Sequence, residues 1–300
     1  MRFSQDLFYK PTDTGQWITV DLHIHSSYSG GDLRAEDILN FATRFLFDAI
    51  GVSDHYEIDA AIEAEKVKTE KPTYPDVIVS QEVSAGDHFH LLIIGSDHSW
   101  PEVNRYSLLD QIQQHHQTGG AVILAHPWTI PKTVWANEYL KRLIDDCLLD
   151  GVELFNTSIL ELNEARLQSL KDFWNEWVIP NQLGVYGGSD FHHFRKARWL
   201  GTGKTFLKVC QPGATGILAA IRGRRAVAGL AWHQVMDLDW LGSGNNFIYG
   251  CDPWYTEIRK LIQDLEQQVN HCYQNSPQLN RFLLQLIANG QFQHIQNLLR

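Results

Sequence analysis

The four cysteines, Cys147, Cys210, Cys251 and Cys272, lie scattered over 300 residues without a C-x-x-C pair. That spacing offers neither a zinc knuckle nor a recognisable disulfide framework. The chain also lacks a G-x-S-x-G elbow, a P-loop and a glycine fingerprint for dinucleotides, so no motif supplies a serine nucleophile or a nucleotide cradle. Positive charge is scarce: 25 Lys and Arg against 35 Asp and Glu give a formal net charge of −10. With no extended basic, aromatic-laced tract, a long nucleic-acid track has little support. No basic region followed by an apolar core opens the chain, and no apolar run approaches membrane-spanning length. The expectation is a soluble cytoplasmic protein without a membrane partner. There is no internal repeat or low-complexity tract.

Histidine is what the chain has, 14 of them, and several stand in an ordered series with acids. The series runs His23-x-His25, Ser53-Asp54-His55, Glu82, His90, His126-Pro127 and Ser189-Asp190-Phe191-His192. Short apolar runs precede most of these positions: Trp17 to Leu22, Asp48 to Val52, Val77 to Val79, Ala121 to Ala125 and Gly184 to Tyr186. Each reads as a strand that stops at a metal-ligand type. Helix-spaced apolar residues over 35–47, 103–117, 136–149 and 161–177 alternate with them, the pattern of a parallel α/β architecture. In such a fold strands deliver side chains to a common rim at their C-terminal ends, so distant ligands converge. Imidazole and carboxylate donors suit zinc, manganese or iron.

This ordered set resembles the polymerase and histidinol phosphatase (PHP) family of metal-dependent phosphoesterases, over roughly the first three quarters of the chain. The resemblance implies a distorted (β/α)7 TIM-like barrel carrying two or three divalent ions, with a PHP domain over 1–234 and a helical extension over 235–300. It further implies that His23, His25, Glu82 and Asp190 hold a first ion, and that Glu82 bridges to a second held with His90 and His126. His55 and His192 would hold a third together with an acid of the first loop. There the chain departs from the pattern, because Gly30 and Gly31 occupy the positions where that acid commonly stands. Asp32, one residue farther, reaches the ion if the glycine pair bends the loop; its other reading is a loop or helix-start carboxylate.

His90 opens the apolar run Leu91 to Gly95 and is preferred over His88 as the ligand, leaving His88 a supporting role. His98, His115 and His116 read as solvated or packed. Asp54 could orient a ligand imidazole, Trp128 could wall the pocket, and Arg222, Arg224 and Arg225 read as structural. Arg195, ahead of Lys196 and Arg198, is the first choice for a phosphate clamp.

A hydroxide held between two ions is nucleophilic near neutral pH, so no protein nucleophile is needed. Glu82, Asp190 and Arg195 are therefore the expected catalytic residues. Bound divalent ions would reverse the local field of an acidic protein and favour a compact phosphate ester. The leading expectation is hydrolysis of a small phosphomonoester. The alternatives are a phosphodiesterase or exonuclease acting on short oligonucleotides or nucleoside bisphosphates, and a non-catalytic binding module that keeps the fold. After the turn-rich Gly242 to Asn246, helical stripes such as Ile258, Leu261, Ile262, Leu265 and Val269 pack on the barrel or make a homodimer interface.

Overall fold

The computed structural model describes residues 15–86, 88–102, 105–135, 138–156, 158, 164–193, 203–230, 247–250, 253–288 and 290–299. The chain alternates strands and helices in the order β1 (Gln16–Ile24), α1 (Ala35–Arg44), β2 (Ala49–Val52), α2 (Asp59–Glu70), β3 (Asp76–Ser84), β4 (His90–Ile94), α3 (Arg105–Gln117) and β5 (Ala121–Ala125). Short α4 (Lys132–Trp135) and α5 (Glu138–Asp145) lead to β6 (Gly151–Phe155). Then α6 (Glu164–Phe173) runs through a π-helical turn into α7 (Ile179–Asn181), followed by β7 (Gly184–Gly187), β8 (Gly203–Val209), α8 (Gly213–Arg222) and β9 (Ala226–Leu230). After β10 (Phe247–Gly250) come α9 (Trp254–Cys272), α10 (Pro277–Ala288) and α11 (Phe292–Leu299).

The ten strands form one mixed sheet in the order β10-β9-β8-β1-β2-β3-β4-β5-β6-β7. The pairs β1–β2, β2–β3, β5–β6 and β6–β7 are parallel, as alternation with helices requires. The expected all-parallel pattern is broken at β4, which follows β3 through a short loop and pairs antiparallel with both β3 and β5. A connection of five residues is too short for a parallel crossover, so the chain must return as a hairpin. β8 and β9 also run antiparallel to their neighbours on the far side of β1.

β7 comes back against β8 and β9 and closes the sheet into a barrel. The seam is made by Thr205, whose buried hydroxyl donates to Gly187 O at 2.7 Å and accepts from Gly187 N–H at 2.8 Å. Glycine lets the backbones meet here: a Cβ on Gly203 would lie 2.1 Å from Gly188 O, and one on Gly187 2.4 Å from Lys204 O.

Two apolar layers flank the strands. Inside, Val20, Leu22, Ile78, Leu92, Ile123 and Leu207 pack with Ile217, Ala220 and Ile221 of α8. This layer also holds the beginnings of parallel strands (Ile18, Ala121) and the ends of antiparallel ones (Ile94, Val209), so α8 plugs the barrel at the end opposite the C-terminal rim. Outside, α1 and α2 cover β1 and β2 through Ile38, Leu39 and the small face Ala60, Ala61 and Ala64. Beneath the barrel Arg222 donates to the carbonyls of His116 (2.9 Å) and Gly120 (2.8 Å). Arg224 reaches Gln182 O at 2.7 Å and Leu149 O at 3.2 Å, so these cations satisfy loop carbonyls that helices and strands leave open.

The boundary expected after residue 234 lies outside the described residues. β10 extends the sheet beyond β9, and α9–α11 pack through Ile258, Leu265, Ile287 and Ile295 onto Trp17, Phe206 and Val227. Trp17 Nε1 donates to Glu257 at 3.2 Å, and Lys208 pairs with the same carboxylate. No helix among the described residues is long and apolar enough to cross a membrane.

The seam gives a stability prediction. Gly203→Ala forces a methyl into backbone and should destabilise the fold by about 1–3 kcal/mol, the usual cost of overpacking. A lower urea midpoint with an unchanged slope is the expected result; an unaltered midpoint would mean that the strands can part without cost.

Candidate metal centre

Every ligand-type residue of the series that lies among the described residues, apart from Asp32, arrives at one rim. β1 brings His23 and His25. Its register against β2 slips by one residue between Asp21 and Ile24, so Leu22 joins the interior layer while Ile24 faces α1. Such a bulge re-aims the side chains that follow it. β2 continues as a single bridge from His55 to Glu82. β4 runs the other way, so its first residue, His90, stands beside Ser84 and Ala125 at the same rim. His126 follows β5 directly and Asp190 stands three residues past the end of β7, each with positive φ (29° and 50°).

At the centre is Glu82, 1% exposed. Its Oε2 lies 3.3 Å from His23 Nε2, 3.1 Å from His25 Nε2 and 3.4 Å from His55 Nδ1. Its Oε1 lies 2.8 Å from His90 Nδ1 and 3.1 Å from His126 Nε2. The two oxygens thus divide five imidazoles into two groups. Asp190 Oδ1 completes one side, 3.4 Å from His23 Nε2 and 3.5 Å from His25 Nε2.

These spacings can be tested against an ion. Ligands held at about 2.0–2.1 Å around one cation stand about 3.0–3.4 Å apart, and His23 Nε2 and His25 Nε2 stand at that spacing, within a tenth, from each other, from Glu82 Oε2 and from Asp190 Oδ1. The donor groups that could share an ion are His23–His25–Glu82, His23–His126–Asp190, Glu82–His90–His126 and His25–His55–His192. The residues therefore fit divalent ions, with Glu82 placed to bridge.

Asp32 belongs to none of these groups. The loop does bend at Gly30 (φ 88°), and Asp32 N–H reaches His192 O at 2.7 Å. The side chain nevertheless joins none of the donor groups, its Oδ1 lying 3.3 Å from His193 Nδ1. His25 stands with His55 and His192 where the acid was expected. Arg195, Lys196 and Arg198 lie outside the described residues. His88 is exposed, and His90 is the residue that faces Glu82. Trp128 does not wall an open pocket: it is buried in the core, edge-on to His126 with ring centroids 6.3 Å apart. His115 and His116 are packed, bonded to Ile94 O and Asp150 respectively, and His98 pairs with Asp97 at the surface.

A second layer fixes how the rings point. Asp54 accepts from Ser26 N–H (2.7 Å) and from the Ser26 and Ser29 hydroxyls, and Ser29 Oγ lies 3.2 Å from His25 Nδ1. With its hydroxyl proton given to Asp54, Ser29 accepts from His25 Nδ1–H, which leaves the Nε2 lone pair free. His192 Nδ1 meets Asp190 O at 3.1 Å with the same effect. Glu153 Oε1 does this for His23, 3.1 Å from Nδ1. Asp21 Oδ1 accepts from His23 N–H and Ser189 N–H at 3.1 and 3.0 Å, tying β1 to the loop that carries Asp190. Sequence reading missed Glu153 and Asp21. Their signal was an acid inside an apolar strand, G-V-E-L-F and T-V-D-L-H.

Without ions the site balances its charge with protons. Burial raises the pKa of Glu82 and Asp190, yet the surrounding imidazoles carry both well below the carboxylate range. Burial lowers His23, His25 and His126, but Glu82, Glu153 and Asp190 reverse this and raise all three. His55 and His192 are lowered, first by burial and then by neighbouring histidines.

No family model matches the chain, and no curated protein matches it. Among solved structures it is similar to a two-domain protein from Bacteroides vulgatus described as containing a predicted PHP-like metal-dependent phosphoesterase, with TM-score 0.57 and 20% identity over 71% of this chain and 65% of that one. The chain thus spans less than two thirds of that protein's length. Weaker likenesses, both with TM-score 0.45, are the lesion-specific endonuclease EndoQ of Pyrococcus furiosus (18% identity, 69% and 56% of the two chains) and an amidohydrolase from Chromobacterium violaceum (16% identity, 59% and 89%). The fold is the PHP-type, TIM-like barrel, with more strands than the seven expected.

The proton balance sets a direction with pH. The raised histidines stabilise the metal-free fold fully below about pH 6.5, and that contribution is lost as pH rises through their folded-state pKa values. Ion binding needs the neutral rings, so added zinc should stabilise increasingly over the same interval. Thermal midpoints with and without zinc should diverge as pH rises. Parallel curves would show that the rings carry no extra protons.

Proposed function

We propose that the protein is a metal-dependent phosphoesterase that hydrolyses a small phosphomonoester. The observation that carries this reading is the division of Glu82: one oxygen faces His23, His25 and His55, the other His90 and His126. Adjacent ion positions sharing a carboxylate suit the two-metal form of in-line displacement at phosphorus. Zinc, manganese and iron all suit the donors. When bound, such ions lower the pKa of water and polarise phosphoryl oxygens.

The chain's own residues supply the rest. Glu82 and Asp190, kept ionised by their imidazole neighbours, stay acceptors throughout and hold no proton for a leaving group. Ser29, Glu153 and the carbonyl of Asp190 hold the Nδ1 protons of His25, His23 and His192, so these rings offer Nε2 towards the centre. His55, His90 and His192 are the more open members, with side-chain exposures of 37, 34 and 30%, and they define the side from which a substrate arrives. Arg195 is the proposed clamp on a phosphate oxygen, close in sequence to His192. The acidic balance of the chain favours a compact ester over a long polyanion.

Manganese-loaded protein should turn over phosphomonoesters in preference to matched phosphodiesters. Asp190→Ala should lower kcat/KM by more than about a hundredfold, since even outer-layer partners of a metal site cost 10–100-fold. Preferential turnover of diesters would shift the assignment to a short-substrate nuclease. Retained activity in Asp190→Ala would remove this site from the chemistry.

A further inference from the structure

Among the buried acids here that belong to no donor group, one touches both sides of the site. Glu153, in the middle of β6, is 1% exposed, and both its oxygens are engaged. Oε1 faces His23 Nδ1 at 3.1 Å. Oε2 accepts the backbone N–H of His126 at 3.0 Å and the side-chain amide of Asn156 at 3.3 Å. The same Asn156 Nδ2 stands 3.3 Å from Asp190 Oδ2. Its orientation is fixed from behind, because Asn156 Oδ1 accepts from Ser158 N–H (2.8 Å) and Ser158 Oγ (2.7 Å). Gly188 seals the arrangement: a Cβ there would lie 2.7 Å from both Glu153 Oε1 and His23 Cβ.

Through these contacts Glu153 touches both sides of the divided centre. His23 belongs to the Oε2 side of Glu82 and His126 to the Oε1 side. His126 and Asp190 both hold positive φ, a conformation that costs non-glycine residues energy unless neighbours enforce it. We infer that Glu153, with Asn156 as its extension, is a positioning residue that locks the two ion sites into one unit: it sets the tautomer of His23, anchors the backbone of His126 and steadies Asp190. The inference rests on the metal-dependent reading above. It goes beyond it in giving an undesignated acid control over how ions load.

The donors around Glu153 dictate the test. All three partners present protons to it, so Glu153→Gln replaces one accepting oxygen by an NH2 that must face a donor. The probe is zinc, titrated calorimetrically into metal-stripped wild type and variants, with circular dichroism to verify the fold. Glu153→Gln should weaken zinc uptake by about 10–100-fold, the range for outer-layer partners of metal ligands. Excess zinc should restore wild-type stoichiometry and most of kcat, a rescue that a merely structural defect would not give. Asn156→Ala leaves the carboxylate in place with its contacts to His23 and His126, and removes the amide that joins Glu153 to Asp190. It should weaken uptake by about tenfold, the lower end of that range, and it decides the matter should Glu153→Gln not fold. Zinc bound with wild-type affinity by the folded variant overturns the inference, whatever happens to activity. Wild type that takes up no zinc sinks the metal-dependent reading itself, a distinguishable failure.

Discussion

A carboxylate sealed from water and ringed by five imidazoles is the constraint on which this molecule turns. An isolated buried Glu82 would be too costly to ionise, and burying several neutral polar rings without partners would be costly as well. Together they satisfy one another, and only because five segments of chain are held to the same rim. β3 makes this geometry available. Its first half pairs parallel with β2 and its second half antiparallel with β4. Glu82 therefore stands where the sheet changes partner, with a histidine-bearing element on each side.

Charge explains why the arrangement is poised for cations. In the metal-free protein, raised histidines play the part of counter-ions to Glu82, Asp190 and Glu153. Protons and divalent ions thus compete for the same nitrogen lone pairs. The outer layer prepares the exchange: Ser29, Glu153 and the Asp190 carbonyl already hold the protons that must stay on Nδ1. Rings oriented in advance lose little freedom when an ion arrives, and the accepting partners raise their basicity.

The residues that gather at the rim were legible in the sequence because they border short apolar runs, at or just past a strand end or, like His90, at a strand start, where a histidine has no packing reason to be. His23, His25, His126 and Asp190 all stand so. The supporting acids were not, because Glu153 and Asp21 sit inside strands and their use depends on what lies across the barrel. α2 was missed because its buried face is alanine, which carries little hydrophobic contrast. The return of β4 was hidden by strands of similar composition on either side of a five-residue loop. Asp32 went astray for a different reason. Glycine freedom told that the loop could bend, but the direction of the bend is set by the contact of Asp32 N–H with His192 O, a tertiary fact.

The barrel's two ends divide labour. At the closed end α8 supplies Ile217, Ala220 and Ile221 to a dry interior, and arginines satisfy the loop carbonyls. At the rim the backbone is held in conformations it would not choose: His126 and Asp190 each sit at positive φ, at a cost on the order of 1–3 kcal/mol apiece. A fold whose interior and helical cover are well packed can carry that cost, because the strained residues lie beyond the ends of regular strands, outside their paired registers. The strain in turn has a use. Positive φ turns the chain at His126, straight after β5, and at Asp190, three residues past β7, and their side chains face Glu82 and His23. The ligand geometry is thus obtained by spending stability only where the sheet has already ended.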